Sequence, residues 1–264
     1  MLFAVNGLIG CPVAASDGDI GSVKDFLFDD RSWKIRWMTV DTGHWLTGRQ
    51  VLIHPSAIAP LELPPKPALP MMTGGQRLMI SVRLTKQQID SSPDAREGAP
   101  CTADLEARLY NHYGIDPYWG DTYFGPDAID PLSKPIAAEN AVRQQAMRSG
   151  AGDGDLYLGS VAEAKSLTVH ATDGDLGPVE NILADDANWD IRYLVVATRH
   201  WLPGKLVQLA PYAVTNINWS DHRISVNVTR DQVKSAPAWD PVAMVDKVAE
   251  DQLHEHFGWP GYGR

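Results

Sequence analysis

The segment WKIRWMTVDTGHWLTG, residues Trp33–Gly48, is the strongest indicator of the fold, because the chain repeats it as WDIRYLVVATRHWLPG at Trp189–Gly204. The two copies lie 156 residues apart and align without a gap. The DGDIG turn at Asp17–Gly21 corresponds in the same way to DGDLG at Asp173–Gly177. A match at one fixed spacing indicates two copies of one structural unit. The sequence therefore predicts an internal duplication.

The spacing between the copies changes once, near the end of each unit. The segment ISVRLTKQQI at Ile80–Ile89 corresponds to ISVNVTRDQV at Ile224–Val233, which lies 144 residues later. The first copy therefore carries 12 extra residues. They fall in the Pro- and Gly-rich segment Leu61–Gly75, a composition typical of loops. We predict two domains, at 1–120 and 155–264, with a linker at 121–154.

Alternating apolar residues predict a mainly β fold, with short strands separated by turns of the Asp-Gly type. The segment Trp33–Asp41 reads as one strand, with Trp33, Ile35 and Trp37 on one face and Met38 on the other. The segments TKQQI and TRDQV have the spacing of a helical capping box. A helix and an aromatic tail are expected after each unit.

Composition limits the function classes. The chain has 264 residues, 44% of them hydrophobic, and a net charge of −10. An acidic chain has no excess of positive charge for phosphate groups, so we expect no nucleic-acid partner. No apolar run reaches the roughly 18 residues of a membrane-spanning helix. Cys11 and Cys101 correspond to Leu167 and Val245, so they read as buried apolar residues of a cytoplasmic protein.

The combined pattern of the D-G-[DE]-x-G turn, the Asp-Asp loop, W-x-[IV]-R-[YW], W-L-x-G-[RK] and P-x-A resembles the PRC-barrel family. It covers Leu8–Leu84 and Leu167–Val228. This family includes the barrel of the photosynthetic reaction-centre H subunit, and a ribosome-maturation factor carries a related barrel. The resemblance implies two tandem small antiparallel β-barrels that bind protein partners, with a possible link to photosynthesis.

Candidate chemical residues have simpler structural interpretations. His44 and His200 occupy matched positions and could bind a metal ion between the barrels, but a turn histidine bonded to a backbone carbonyl explains them as well. Arg36 and Arg192 are either partner anchors or ion pairs with the Asp29-type loop acids. No nucleophile elbow, phosphate loop or dinucleotide motif is present, so we predict no enzyme and no cofactor.

Aromatic residues at turns and tails are the candidate partner contacts, together with the two turn histidines. The set comprises His44, Trp45, Trp119, His200, Trp201 and Trp259. Aromatic side chains at such places are typical interface anchors. We therefore predict a non-enzymatic scaffold that forms a homodimer. The alternative is a small-molecule or metal-binding module that uses a cleft between the barrels.

Overall fold

The structure is a computed structural model that describes part of the chain. The described residues are 1–43, 45–46, 49–61, 78–95, 101–115, 158–198, 202, 204–240 and 247–262. Within these ranges the fold is mainly β, with two sheets and few helices. The predicted insertion and the predicted linker lie largely or wholly outside the described residues, and the domain boundaries stay a prediction.

The first sheet is built mostly from the first repeat. Its strands are β2 (Pro12–Ala15), β3 (Gly18–Asp29), β4 (Lys34–Asp41), β5 (Gln50–Ile53), β6 (Ile80–Ser81) and β7 (Leu158–Ser160). Their order is β5-β4-β3-β2-β6, and β7 pairs with β3. All of these pairings are antiparallel except β2 with β6, which run parallel. The expectation of small, mostly antiparallel β modules is therefore confirmed, with this pair as the exception.

The second sheet repeats this order. Its strands are β1 (Leu2–Ala4), β8 (Thr168–Ala171), β9 (Gly174–Asp185), β10 (Ile191–Ala197), β11 (Leu206–Leu209), β12 (Val214–Asn218) and β13 (Arg223–Val226). The order is β11-β10-β9-β8-β13-β12, with β8 and β13 parallel and β1 paired with β9. Each sheet is barrel-like, but the pairings among the described residues do not close either one into a complete barrel.

The two repeats exchange their first strands. Strand β1 begins the first repeat but pairs with β9 of the second, with Phe3 opposite Ala184. Strand β7 begins the second repeat but pairs with β3 of the first, with Gly159 opposite Phe28. Two backbone hydrogen bonds between the repeats are also reciprocal: Ile35 N donates to Trp189 O at 3.0 Å, and Ile191 N donates to Trp33 O at 2.7 Å. The repeats therefore meet as an approximate two-fold pair.

A β-bulge at Arg36 corrects the predicted strand faces. Leu27 pairs with Trp37 and Phe28 pairs with Ile35, so Arg36 is the extra residue in β4. An extra residue reverses the side-chain alternation that follows it. Ile35 and Met38 therefore enter one core, while Trp37 lies in another. The same shift lies between Ile191 and Tyr193.

Trp33 and Trp189 precede these strands instead of beginning them. Their φ angles are 57° and 61°, in the left-handed region. Both rings pack against phenylalanine side chains of the large core. Trp189 is 7% exposed and its ring lies 5.3 Å from Phe3, while Trp33 stacks on Phe28 at 5.9 Å.

Gly21 allows strand β4 to cross β3 closely. Its φ is 147°, and a Cβ atom there would lie 2.0 Å from the backbone oxygen of Asp41. Gly177 has the equivalent contact with Ala197, also at 2.0 Å. The second glycine of each D-G-D-x-G turn is therefore required by backbone contact and not by turn conformation alone.

Five α-helices accompany the sheets in the described ranges. They are α1 (Lys86–Asp90), α2 (Ala103–Tyr113), α3 (Val161–Ala164), α4 (Arg230–Ser235) and α5 (Lys247–Phe257). The predicted capping boxes at Thr85 and Thr229 are both present: each threonine hydroxyl accepts from the backbone N–H of the glutamine three residues later, and the side-chain oxygen of that glutamine accepts from the threonine backbone N–H. Among these helices, none combines the length and the apolar character that crossing a membrane requires.

The apolar interior has three parts. One large core contains residues of both repeats, including the exchanged Phe3 and Val161. A smaller cluster packs α2 against the outer face of the first sheet, through Trp37 and Leu109. Its counterpart packs Leu253 of α5 against the second sheet. The helix after each repeat thus covers the outside of its own sheet.

Candidate functional site

A buried polar network joins α2 to the first sheet. The guanidinium of Arg36 lies 2.8 Å from the Glu106 carboxylate, and both side chains are 1% exposed. Glu106 also accepts from Trp37 Nε1 at 2.7 Å. Arg36 further contacts Asp29 at 3.4 Å and donates from Nε to the Tyr110 hydroxyl at 3.2 Å. The bulge positions Arg36, since it places this side chain on the outer face under the helix.

The second repeat contains the corresponding network in a looser form. Arg192 lies 3.9 Å from Glu250, and the two side chains are 15% and 21% exposed. The guanidinium of Arg192 lies 3.4 Å from the ring centroid of Tyr262. The Tyr193 hydroxyl lies 2.9 Å from Glu250 Oε1 and 2.8 Å from His254 Nε2. The tail after α5 therefore completes this network with a ring of its own.

Two histidines beside these networks have lowered pKa values. Burial is the main reason that the pKa of His54 falls to about 4, and the positive charge of Arg36 adds to it. Burial also lowers the pKa of His254. Its Nδ1 atom lies 2.6 Å from the Pro260 carbonyl oxygen, which can only accept, so that nitrogen carries the proton. His254 thereby ties the tail to α5.

These networks hold a helix on a sheet, because their charged and hydrogen-bonding groups pair with each other across that contact. The sequence interpretation of Arg36 and Arg192 as partners of Asp29-type acids is correct but incomplete, because the shorter contact of Arg36 is with Glu106. Glu106 and Glu250 were missed. The signal was available, since the two glutamates are 144 residues apart, the spacing that relates Ile80 to Ile224.

Two of the six predicted partner contacts, Trp45 and Trp259, lie within the described residues. His44, Trp119, His200 and Trp201 lie outside the described residues. Trp45 is half-buried, packs against the central core and lies 5.4 Å below the ammonium group of Lys86. Trp259 stacks on Phe257 at 4.2 Å, and the Tyr262 hydroxyl donates to the carbonyl oxygen of Arg192 at 2.9 Å, so the second tail folds back on its own repeat.

The paired turn acids and the helix-end histidines have structural partners. Asp17 accepts from the backbone N–H of Lys86 at 2.8 Å, and Asp173 accepts from Arg230 at 2.8 Å. His256 Nε2 lies 2.8 Å from the carbonyl oxygen of Gln232, which joins α5 to α4. Within the described ranges, no group of three or more His, Cys, Asp or Glu side chains is arranged to hold a metal ion.

The geometry defines the class of this protein as a mainly β molecule of barrel-like modules, each covered by a helix. Comparison with protein families identifies the module. Residues 1–61 match the model of the PRC-barrel domain, so the first repeat carries a PRC-barrel domain. The matched segment ends before β6, and the second repeat has the same strand order. A search of curated proteins finds no match for the chain.

Proposed function

We propose that this protein is a non-enzymatic interaction scaffold whose partner is another protein. The observation that carries the proposal is the use of the polar groups inside the fold. Arg36 and Glu106 are both 1% exposed and are paired with each other, so neither is presented to a substrate. A PRC-barrel domain of this kind is a small β-rich module suited to protein contact. The ion pairs and hydrogen bonds of the described networks favour a role in stability over a role in catalysis.

The surface that we assign to the partner is the turn around Trp45. This ring is half-buried in the turn between β4 and β5, and the ammonium group of Lys86 lies over it. The surface around Trp45 therefore combines an aromatic ring with a positive charge. Such a combination is typical of interface anchors. The net charge of −10 favours a protein over a nucleic acid or an anionic membrane surface. We propose a cytoplasmic location, and a component of a photosynthetic complex is one candidate partner.

A second copy of the chain is the other candidate at the same turn. The rings of the second tail are used internally, so self-association would depend on the W-L-x-G turns instead. Light scattering at micromolar concentration tests this idea. We expect a dimer that Trp45→Ala weakens. A monomer at every concentration would reject the homodimer and leave the scaffold proposal standing.

Affinity capture from cells of the native organism tests the scaffold itself. We expect wild-type protein to retain a defined partner and folded Trp45→Ala to lose it, with a decrease in the unfolding midpoint no larger than that of Trp259→Ala. Trp259→Ala is the matched control, because Trp259 packs on Phe257 within its own repeat. It should lower stability and leave the captured partner unchanged. A stoichiometric metal ion that disappears in His44→Ala or His200→Ala would replace the scaffold with the metal-binding alternative.

A further inference from the structure

The contact between the two repeats places equivalent residues in different surroundings. Positions 156 residues apart are related by the approximate two-fold, so Phe3 corresponds to Gly159 and Phe28 corresponds to Ala184. In a pair of identical units, the two halves of such a contact would be the same. Here the sequence differs between them at the places where the exchanged strands pair. The differences are complementary.

Side-chain size is matched across both exchanged strands. Phe3 lies opposite Ala184, so a large residue meets a small one. Gly159 lies opposite Phe28, so the size order is reversed on the other side. The fit at Gly159 is tight, because a Cβ atom there would lie 2.4 Å from the Trp219 ring and 3.1 Å from Phe28. Trp219 also reaches across the repeats to donate to Asp30 at 2.9 Å.

Pairing of like repeats would destroy this size match. Two first repeats would bring Phe3 against Phe28, with two rings where the space holds one. Two second repeats would bring Gly159 against Ala184 and leave a void. Overpacking and cavities both destabilise a buried contact. Only the unlike combination fills the central core, where Phe3 is 2% exposed and Phe28 is 1% exposed.

Charge is also complementary between the two repeats, near the two-fold axis. Lys34 and Asp190 are equivalent positions, and they face each other at 2.9 Å. Two first repeats would oppose two lysines there, and two second repeats would oppose two aspartates. A hydrogen bond between the repeats agrees with this: Ser160 donates to Asp25, while Ala4 and Asn181 hold the equivalent positions. Ala4 has no hydroxyl for that carboxylate.

We propose that the surface between the repeats is a recognition surface that accepts the unlike repeat and rejects the like one. Its specificity residues are Phe3, Phe28, Gly159 and Ala184 by size, and Lys34 and Asp190 by charge. The partner that this surface fits is the other repeat, from the same chain or from a second copy in a reciprocal exchange. Association through two identical repeats is excluded at this surface.

Single substitutions in the full chain reproduce the rejected contacts. Ala184→Phe places a ring opposite Phe3, as two first repeats would. Phe3→Gly leaves Gly opposite Ala184, as two second repeats would. We expect each change to lower the urea midpoint. The double variant Phe3→Gly/Ala184→Phe places Gly opposite Phe, as at Gly159 and Phe28. We expect its midpoint to lie closer to wild type than that of either single variant.

The control combines Phe3→Gly with Ala15→Phe. Ala15 is 8% exposed but lies in β2, which does not pair with β1. Because Ala15 does not lie opposite Phe3, removal of the Phe3 ring should not make room for a ring at position 15, and the midpoint should show no recovery. If Ala184→Phe alone yields no folded protein, the yield of soluble protein replaces the midpoint as the measurement. We then expect the addition of Phe3→Gly to restore that yield. Additive losses in both double variants would overturn the size part of the proposal.

The charge pair supplies an independent cycle. Lys34→Asp and Asp190→Lys each create a like-charged pair, and we expect small decreases in the midpoint at low salt. The exchange Lys34→Asp/Asp190→Lys should restore it. The side chains are 32% and 36% exposed, so the differences should shrink in about 1 M salt. Absence of coupling in both cycles would show that the surface does not discriminate between repeats.

Discussion

Glu106→Ala is the change that tests most directly how each helix is held on its sheet. The carboxylate pairs with Arg36 at 2.8 Å and accepts from Trp37 at 2.7 Å. Its loss leaves a cation that is 1% exposed with one remaining carboxylate, Asp29, at 3.4 Å. Breaking a buried ion pair on one side costs about 3–5 kcal/mol. Because Asp29 remains, we expect a decrease of about 3 kcal/mol in the free energy of unfolding.

The repeat supplies the control for this measurement. Glu250→Ala removes the equivalent carboxylate, but Arg192 lies 3.9 Å away and is 15% exposed. There the main loss is one hydrogen bond from Tyr193, worth about 1 kcal/mol. Urea denaturation of both variants, followed by tryptophan fluorescence, gives the comparison. Equal effects, or a change below about 1 kcal/mol in Glu106→Ala, would refute the reasoning that burial determines the cost.

Three further predictions concern the backbone, the core and pH. Gly21→Ala should cost about 2 kcal/mol or more by calorimetry because of the close backbone contact, and Gly43→Ala should cost less because nothing lies within 4 Å of its Cβ position. Trp189→Ala should lower the free energy of unfolding by about 3–5 kcal/mol, and Trp33→Ala by less, since its ring is more exposed. His54 has a folded pKa of about 4 against 6.5, so the unfolded chain takes up its proton first. Stability should therefore fall as pH decreases from 6.5 toward 4, and His54→Asn should flatten that slope in urea titrations.

The prediction of the fold rested mainly on the internal repeat. Two copies with alternating apolar residues and Asp-Gly turns were enough to predict a mainly β protein, because these patterns depend on neighbouring residues. The capping boxes at Thr85 and Thr229 were predicted for the same reason. The strand faces were not, because the bulge at Arg36 depends on pairing with β3. No local pattern in the segment Trp33–Asp41 shows an extra residue.

Periodicity, turn residues and fixed spacing are properties of the chain, so the sequence was enough to predict two related β modules with a helix after each. Which residues come into contact depends on the folded structure. Leu2–Ala4 and Leu158–Ser160 are equivalent in sequence, and each pairs with the other repeat. An extended segment can pair with either repeat as far as local preferences are concerned. Size and charge at positions far apart in the chain select the partner, and those become neighbours only when the chain is folded.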